Sequence, residues 1–347
     1  MAQSGPAAGI PIIVYSVTPL HVGSGRSLGA VDLPIQRDPY NYPVVYSSSF
    51  KGALKSHCAK RRGLPLGERG RMDCSRAPEC CCLFGPEVDD ESGSGLLDVS
   101  DLVPLFIPVP SLTHGYIYAT STYLLDRAAD LLEFAGEGDL LNFIKGINIK
   151  GNKNGGPAQA QGAAPRQGGE ADAAGVERPL LPLASGNAQS SGNVLSLFKG
   201  AGKLSEKLEE GIVVFGDDEG AEILERAYIR VTRNRIDLKN KTVATGALWT
   251  EEYLPQGTVL LGVLMPSVPK RNPYCSSNKK DEKGGSSGNN KEEVCDYNCF
   301  KEIFNKYLSE TVGGQREADG WVAFYVVMGG KETVGKGFVK VKVKAPR

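Results

Sequence analysis

No run of about 18 apolar residues occurs in this 347-residue chain, and its start, MAQSGPAAGI, has no basic stretch followed by an apolar one. Neither a membrane span nor a secretory signal is expected, and the chain reads as cytoplasmic. Neither sign of charge is in excess, since 40 Lys and Arg balance 40 Asp and Glu. That balance counts against a protein that coats nucleic acid through overall basicity. Three short motifs are also incomplete. Gly23, Gly25 and Gly29 give G-x-G-x-x-x-G, one residue off the dinucleotide fingerprint and with no helix opening there. The glycine-rich run 329–337 lacks both the spacing of a phosphate-binding Walker loop and a following helix. Ser48-x-x-Lys51 lacks the S-D-N and K-T-G companions of penicillin-recognising enzymes, which leaves a small-molecule enzyme built on that pair as a remote alternative.

The basic residues are concentrated in patches. Residues 51–76 carry eight Lys/Arg against two acids, 226–241 six against one, and 331–347 six against one. Patches, more than totals, contact phosphate. Eight cysteines also need a reason. Cys74, Cys80, Cys81 and Cys82 cluster near His57 and Cys58, so a tetrahedral zinc could take Cys74, Cys80, one of Cys81 or Cys82, and His57 or Cys58. Cys275, Cys295 and Cys299 flank a polar loop and look more like disulfide partners. Spacing alone decides neither state.

The stretch 18–57 gathers chemistry in one place. A glycine-punctuated loop carries an exposed-looking His21 and a lone Asp32, then enters a serine-capped helix over 48–62 with Lys51 in its first turn. A helix N-terminus favours an anion, so this is a candidate phosphate-handling site with an acid beside it. Asp32 could equally be a turn residue. Elsewhere, periodicity predicts strands at 10–18, 258–265, 321–328 and 338–344, and helices at 122–135 and 299–311. Two or three short strands broken by prolines are expected over 96–121. Residues 148–192 contain no aromatic residue and are expected to form a mobile insertion, as is the polar loop 271–293. In 226–254, two arms, about 227–237 and 242–250, flank a polar tip, and the first alternates arginine with apolar residues. That predicts a projecting basic hairpin, about 227–254, with Trp249 and Tyr253 at its base, able to grip phosphate and stack on bases.

The segments TPLHVGSG, LGAVDLPIQRD, SSSFKGALKSH, CLFGPE, RNRID with GALWTEEYLP, and GGKETVGKGFV, in that order, resemble the RAMP superfamily. Within it, they are most similar to the backbone subunits of type III-B CRISPR (Cmr) effector complexes. The resemblance implies an α+β fold, a modified ferredoxin-like, RRM-like palm (about 8–147, 194–226 and 255–347) with an inserted β-hairpin thumb. It implies copies stacked as a filament on guide RNA, beside other subunits of the complex, with each copy cutting target RNA at a regular interval. Asp32 is then the catalytic carboxylate, transiently holding Mg or Mn, His21 is the second catalytic residue, and Glu251 and Tyr253 lie near the site across a subunit boundary. Ser49, Lys51, Lys55, Arg37, Arg230, Arg233, Arg235, Trp249, Lys331 and Lys336 are the expected RNA contacts. A non-catalytic scaffold and a metal-independent guide-processing endoribonuclease using His21 are the alternatives within the superfamily.

Overall fold

The structure is a computed structural model that describes residues 9–27, 29–63, 72–86, 94–111, 114–152, 197, 211–275, 294–317 and 320–346. Its core is a nine-stranded sheet. The strands are β1 (Ile10–Ser16), β2 (Leu97–Val99), β3 (Val103–Ser111), β4 (Gly115–Ser121), β5 (Ile212–Phe215), β8 (Val259–Pro266), β11 (Gln315–Arg316), β12 (Trp321–Val327) and β13 (Phe338–Lys344). They run in the order β11-β12-β13-β1-β8-β3-β4-β5, with β2 on β8. All pairs are antiparallel except β4 with β5. The remaining strands lie off this sheet: β6 (Ile229–Ile236) with β7 (Val243–Tyr253), and β9 (Lys270–Arg271) with β10 (Val294–Cys295).

The central strand β1 is buried throughout because both faces of the sheet are covered. Ile12 and Val14 face a cluster containing Phe50, Leu54, Phe300 and Phe304. Ile13 and Tyr15 face one containing Leu125, Leu132, Ile144 and Trp321. The first face is covered by α1 (Ser47–Arg61), α2 (Pro78–Phe84) and α6 (Tyr297–Lys306), the second by α3 (Thr122–Ala135) and α4 (Gly138–Asn152). A shorter helix, α5 (Asp217–Glu225), precedes the hairpin. This is the α+β, palm-like ferredoxin core that the sequence predicts.

Local chemistry sets most boundaries. Ser121 Oγ accepts from the Leu124 N–H and Gly136 is left-handed at φ 70°, so α3 has both ends defined in its own residues. Asp296 caps α6 by accepting from the Cys299 N–H, and the helix widens into a π turn at Tyr307–Thr311. Prolines do not break the strand after residue 102 as expected. β3 runs through Pro104, Pro108 and Pro110, with a register shift between Pro104 and Phe106 taking up the irregularity.

The start of α1 also differs. Its cap is Tyr46 rather than a serine, and the Ser47 N–H donates to Asp101 Oδ1 at 2.7 Å. A carboxylate therefore already occupies the helix N-terminus that the sequence offered to phosphate.

The zinc expectation is overturned. Cys74 is bonded to Cys81, Cys80 to Cys58 and Cys82 to Cys275, so no thiolate remains among the proposed ligands. His57 instead lies against Phe324, with burial, then Arg61 and Lys60, lowering its pKa. Among the described residues no group of His, Cys, Asp and Glu is placed to hold a metal ion. Cys82–Cys275 and the remaining disulfide, Cys295–Cys299, agree with the disulfide reading of the last three cysteines. The insertion expected at 148–192 lies outside the described residues beyond Asn152, and the polar loop does so from 276 to 293.

Candidate active site and nucleic-acid interface

An arm formed by residues 20–37 leaves the palm and lies along the root of the β6–β7 hairpin. Leu20 bridges Leu254, Gly23 bridges Ile35 and Leu33 bridges Glu251. Strand β7 therefore uses its edge to hold the arm, and the exchange is reciprocal. Leu33 N–H donates to Thr250 O at 3.0 Å, and Glu252 N–H to Leu33 O at 3.1 Å. Asp32 is exposed, and its Oδ2 accepts from the Thr250 N–H at 2.7 Å. The acid is thus fixed at the hairpin root with its side chain outside the core.

His21 is buried at 6 % exposure, against the exposed position the sequence suggests. Its Nδ1 lies 2.7 Å from Glu252 O. A carbonyl only accepts, so Nδ1 carries the proton. A Cβ on Gly23 would come within 2.8 Å of Nε2, so the glycine admits the ring. His21 also supports the opposite wall: its carbonyl accepts from the Gly330 N–H at 2.8 Å, and a Cβ on Gly329 would meet that carbonyl at 2.3 Å. Gly329 has φ 80°, so the position suits glycine on two counts.

Alternation along β7 sends its two glutamates to different partners, and both are buried. Glu251 Oε1 accepts from Trp249 Nε1 at 2.7 Å and pairs with Lys331 Nζ at 2.6 Å. Its Oε2 accepts from the Tyr253 hydroxyl and lies 3.4 Å from Arg233 Nε. Burial alone would raise the Glu251 pKa, but the bonds from Lys331, Tyr253 and Trp249 outweigh it and hold it at about 2. Glu251 is therefore held as an anion that organises the cations around it. Lys336 adds a further charge, 5.5 Å above the Tyr253 ring. Glu252 receives both Arg37 contacts at 2.9 Å and Arg230 Nε at 3.2 Å, with Arg37 stacked 5.1 Å over Tyr228.

The expected RNA contacts therefore separate. Arg233, Trp249, Lys331 and Lys336 gather around Glu251 and Tyr253, while Arg37 and Arg230 clamp Glu252. Arg235 is exposed on the outer half of β6. The hairpin tip is not wholly polar, because Leu238 is 91 % exposed there. Lys51 turns away from the arm: its Nζ donates to Leu97 O at 2.7 Å, and burial lowers its pKa. Lys55 lies one turn on, on the same side of α1.

Ser49, by contrast, faces a groove of about 450 Å³ between α1 and the glycine run. Its floor and walls are Gly23, Gln36, Ser49, Gly52, Ser56 and Lys60 on one side and Val327, Gly329, Gly330 and Glu332 on the other. Gln36 fixes the near end, donating to Gly23 O and Ser49 Oγ and accepting from the Tyr46 N–H. The sequence reasoning missed Gln36, Gly52, Ser56, Lys60 and Glu332. The small residues 49, 52, 53 and 56 at helical spacing were the available signal.

Residues 14–340 match the RAMP superfamily. The "CRISPR system Cmr endoribonuclease Cmr4" of Pyrococcus furiosus is 30% identical over 338 residues, 95% of this chain and 94% of the relative. The "CRISPR system CMR subunit Cmr4" of Saccharolobus solfataricus is 27% identical, covering 96% and 95%. Among solved structures, a chain of the type III-B Cmr-beta complex bound to cognate target RNA superposes with a TM-score of 0.63 at 25% identity, covering 97% and 98%. The fold and these likenesses agree: the chain belongs to the RAMP superfamily, as a backbone subunit of the Cmr type.

Proposed function

We propose that this chain is the endoribonuclease subunit that forms the backbone of a type III-B CRISPR ribonucleoprotein in the cytoplasm. Copies assemble along guide RNA with the other Cmr subunits, and each cuts the complementary target beside its own hairpin. The observation that carries this reading is the exposed Asp32 carboxylate, held by Thr250 at the root of an arginine-bearing hairpin. The glycine-walled groove lies at the other end of the same short arm, through Gly23.

The reaction is transesterification within RNA. The ribose 2′-oxygen attacks the adjacent phosphorus, Asp32 accepts the 2′-hydroxyl proton, and the 5′-oxygen leaves with a proton from solvent, giving a 2′,3′-cyclic phosphate and a 5′-hydroxyl. Lys331, Arg233 and Lys336 outnumber Glu251, so the hairpin root carries net positive charge to offset that developing on phosphate. The hairpin splays one nucleotide, which supplies in-line geometry and with it much of the rate. Among the described residues the donor set does not fit a resident metal, because Asp32 stands as a single carboxylate and Glu251 and Glu252 are saturated by cations. A divalent ion such as Mg or Mn, if used, takes most of its ligands from RNA phosphates and water.

The test is target cleavage by the assembled complex carrying Asp32→Asn. Loss of regularly spaced products with guide and target still bound supports the reading, and undiminished cutting overturns it.

A further inference from the structure

Helix α1 presents Ser49, Gly52, Ala53, Ser56 and Lys60 to the groove, one face at helical spacing over about 16 Å. Beyond the adjoining backbone of its own helix and its two chain neighbours, nothing lies within 4 Å of the position a Gly52 Cβ would take, so that space is open to a ligand. Hydroxyls at 49 and 56 can donate to phosphate oxygens, but neither neutralises charge. Lys60 is the groove's lysine, and its Nζ is held 3.2 Å from Glu332 Oε2 on the opposite wall. Both side chains are more than half exposed, at 57% and 51%, so the bond closes the groove's mouth without being buried. An exposed pair of this kind is weak enough to exchange partners.

We infer that Lys60 is an RNA-gripping residue held in reserve by Glu332: the ion pair spans the groove in the RNA-free chain, and an entering phosphodiester replaces Glu332 as the partner of the lysine. This rests on the RNA reading of the groove. It assigns to the far end of α1 the cationic grip that the sequence placed at Lys51. Glu332 then acts as an internal competitor. A stray phosphate must displace a carboxylate to bind, whereas RNA already held along Ser49 and Ser56 does so at high effective concentration.

The experiment measures affinity of the full-length chain, stripped of nucleic acid, for a fluorescein-labelled single-stranded RNA of mixed sequence over a salt series. Lys60→Gln is expected to weaken binding and to lower the slope of log K against log salt by about 0.7, the loss of one phosphate contact. Glu332→Gln is expected to tighten binding about two- to fivefold in the presence of Lys60 and not at all in the Lys60→Gln background. Equal tightening in both backgrounds makes Glu332 a general negative charge and overturns the exchange. Gly52→Leu separates the two levels of the argument. If it abolishes binding while Lys60→Gln leaves affinity and slope unchanged, the groove reading stands and this inference falls. If Gly52→Leu also binds normally, both fall.

Discussion

Asp32 Oδ2 accepts a 2.7 Å hydrogen bond from the backbone N–H of Thr250, 218 residues later in the chain. The candidate base is thereby held by backbone, and the donor belongs to the strand that also carries Glu251 and Glu252. Aspartate and asparagine both present an oxygen to such a donor.

Asp32→Asn is therefore expected to keep the arm in place while removing the base. Target cleavage in the assembled complex should fall about 10²–10⁴-fold, with unchanged guide binding, target binding and melting temperature. Gel analysis of end-labelled target checks this. Cleavage lost together with assembly would make Asp32 a turn residue.

Glu251 makes the hairpin root acid-sensitive. Its pKa in the fold is about 2, against 4.5 for the free residue, so the unfolded chain binds the proton more readily. Its stabilisation is complete above about pH 4.5 and is lost as pH falls toward 2, on the order of 3 kcal/mol in all. Thermal melts between pH 7 and pH 3 should show Glu251→Gln less stable at neutral pH, with the gap to the parent narrowing in acid. Parallel curves would refute the role.

The disulfides predict a redox-dependent stability. Cys82–Cys275 joins positions 193 residues apart, and closing so long a loop is worth about 5 kcal/mol by chain entropy. Reductant, or Cys82→Ala with Cys275→Ala, should lower the melting temperature, and a chelator should not. Free thiols by mass spectrometry together with a chelator-induced drop would restore zinc.

Lys51→Met tests the placement of that lysine. Losing the bond to Leu97 O should cost about 1 kcal/mol of stability and leave RNA affinity untouched. Weaker RNA binding at an unchanged melting temperature would return Lys51 to the interface.

The sequence made visible the elements whose signals are local. Helix α3 is bounded by its own Ser121 and Gly136, and β1 is rich in β-branched residues and ends shortly before Pro19, so both were read nearly to the residue. Helix α2 was not, because Cys80 to Phe84 are all buried and a helix with so little polar face has no period to detect. β5 is four residues long and is followed by the acid-rich α5, and neither stood out. In the site, the motif singled out Asp32, and the structure leaves that side chain exposed at the hairpin root. The Arg37–Glu252 contact joins residues 215 apart and depends on which way β7 faces, which no short window contains. Lys51 and Lys60 look alike as letters in a basic patch, and only the rotation of α1 about its axis separates a half-buried brace from a groove residue.

The two buried glutamates of β7 have a mechanical consequence. With Glu251 tied to Lys331 and Arg233, and Glu252 to Arg37 and Arg230, the base of the hairpin is gripped from both sides. A finger so clamped has its direction fixed at the root, and the same strand holds Asp32 through the Thr250 N–H, so finger and acid keep one orientation to each other.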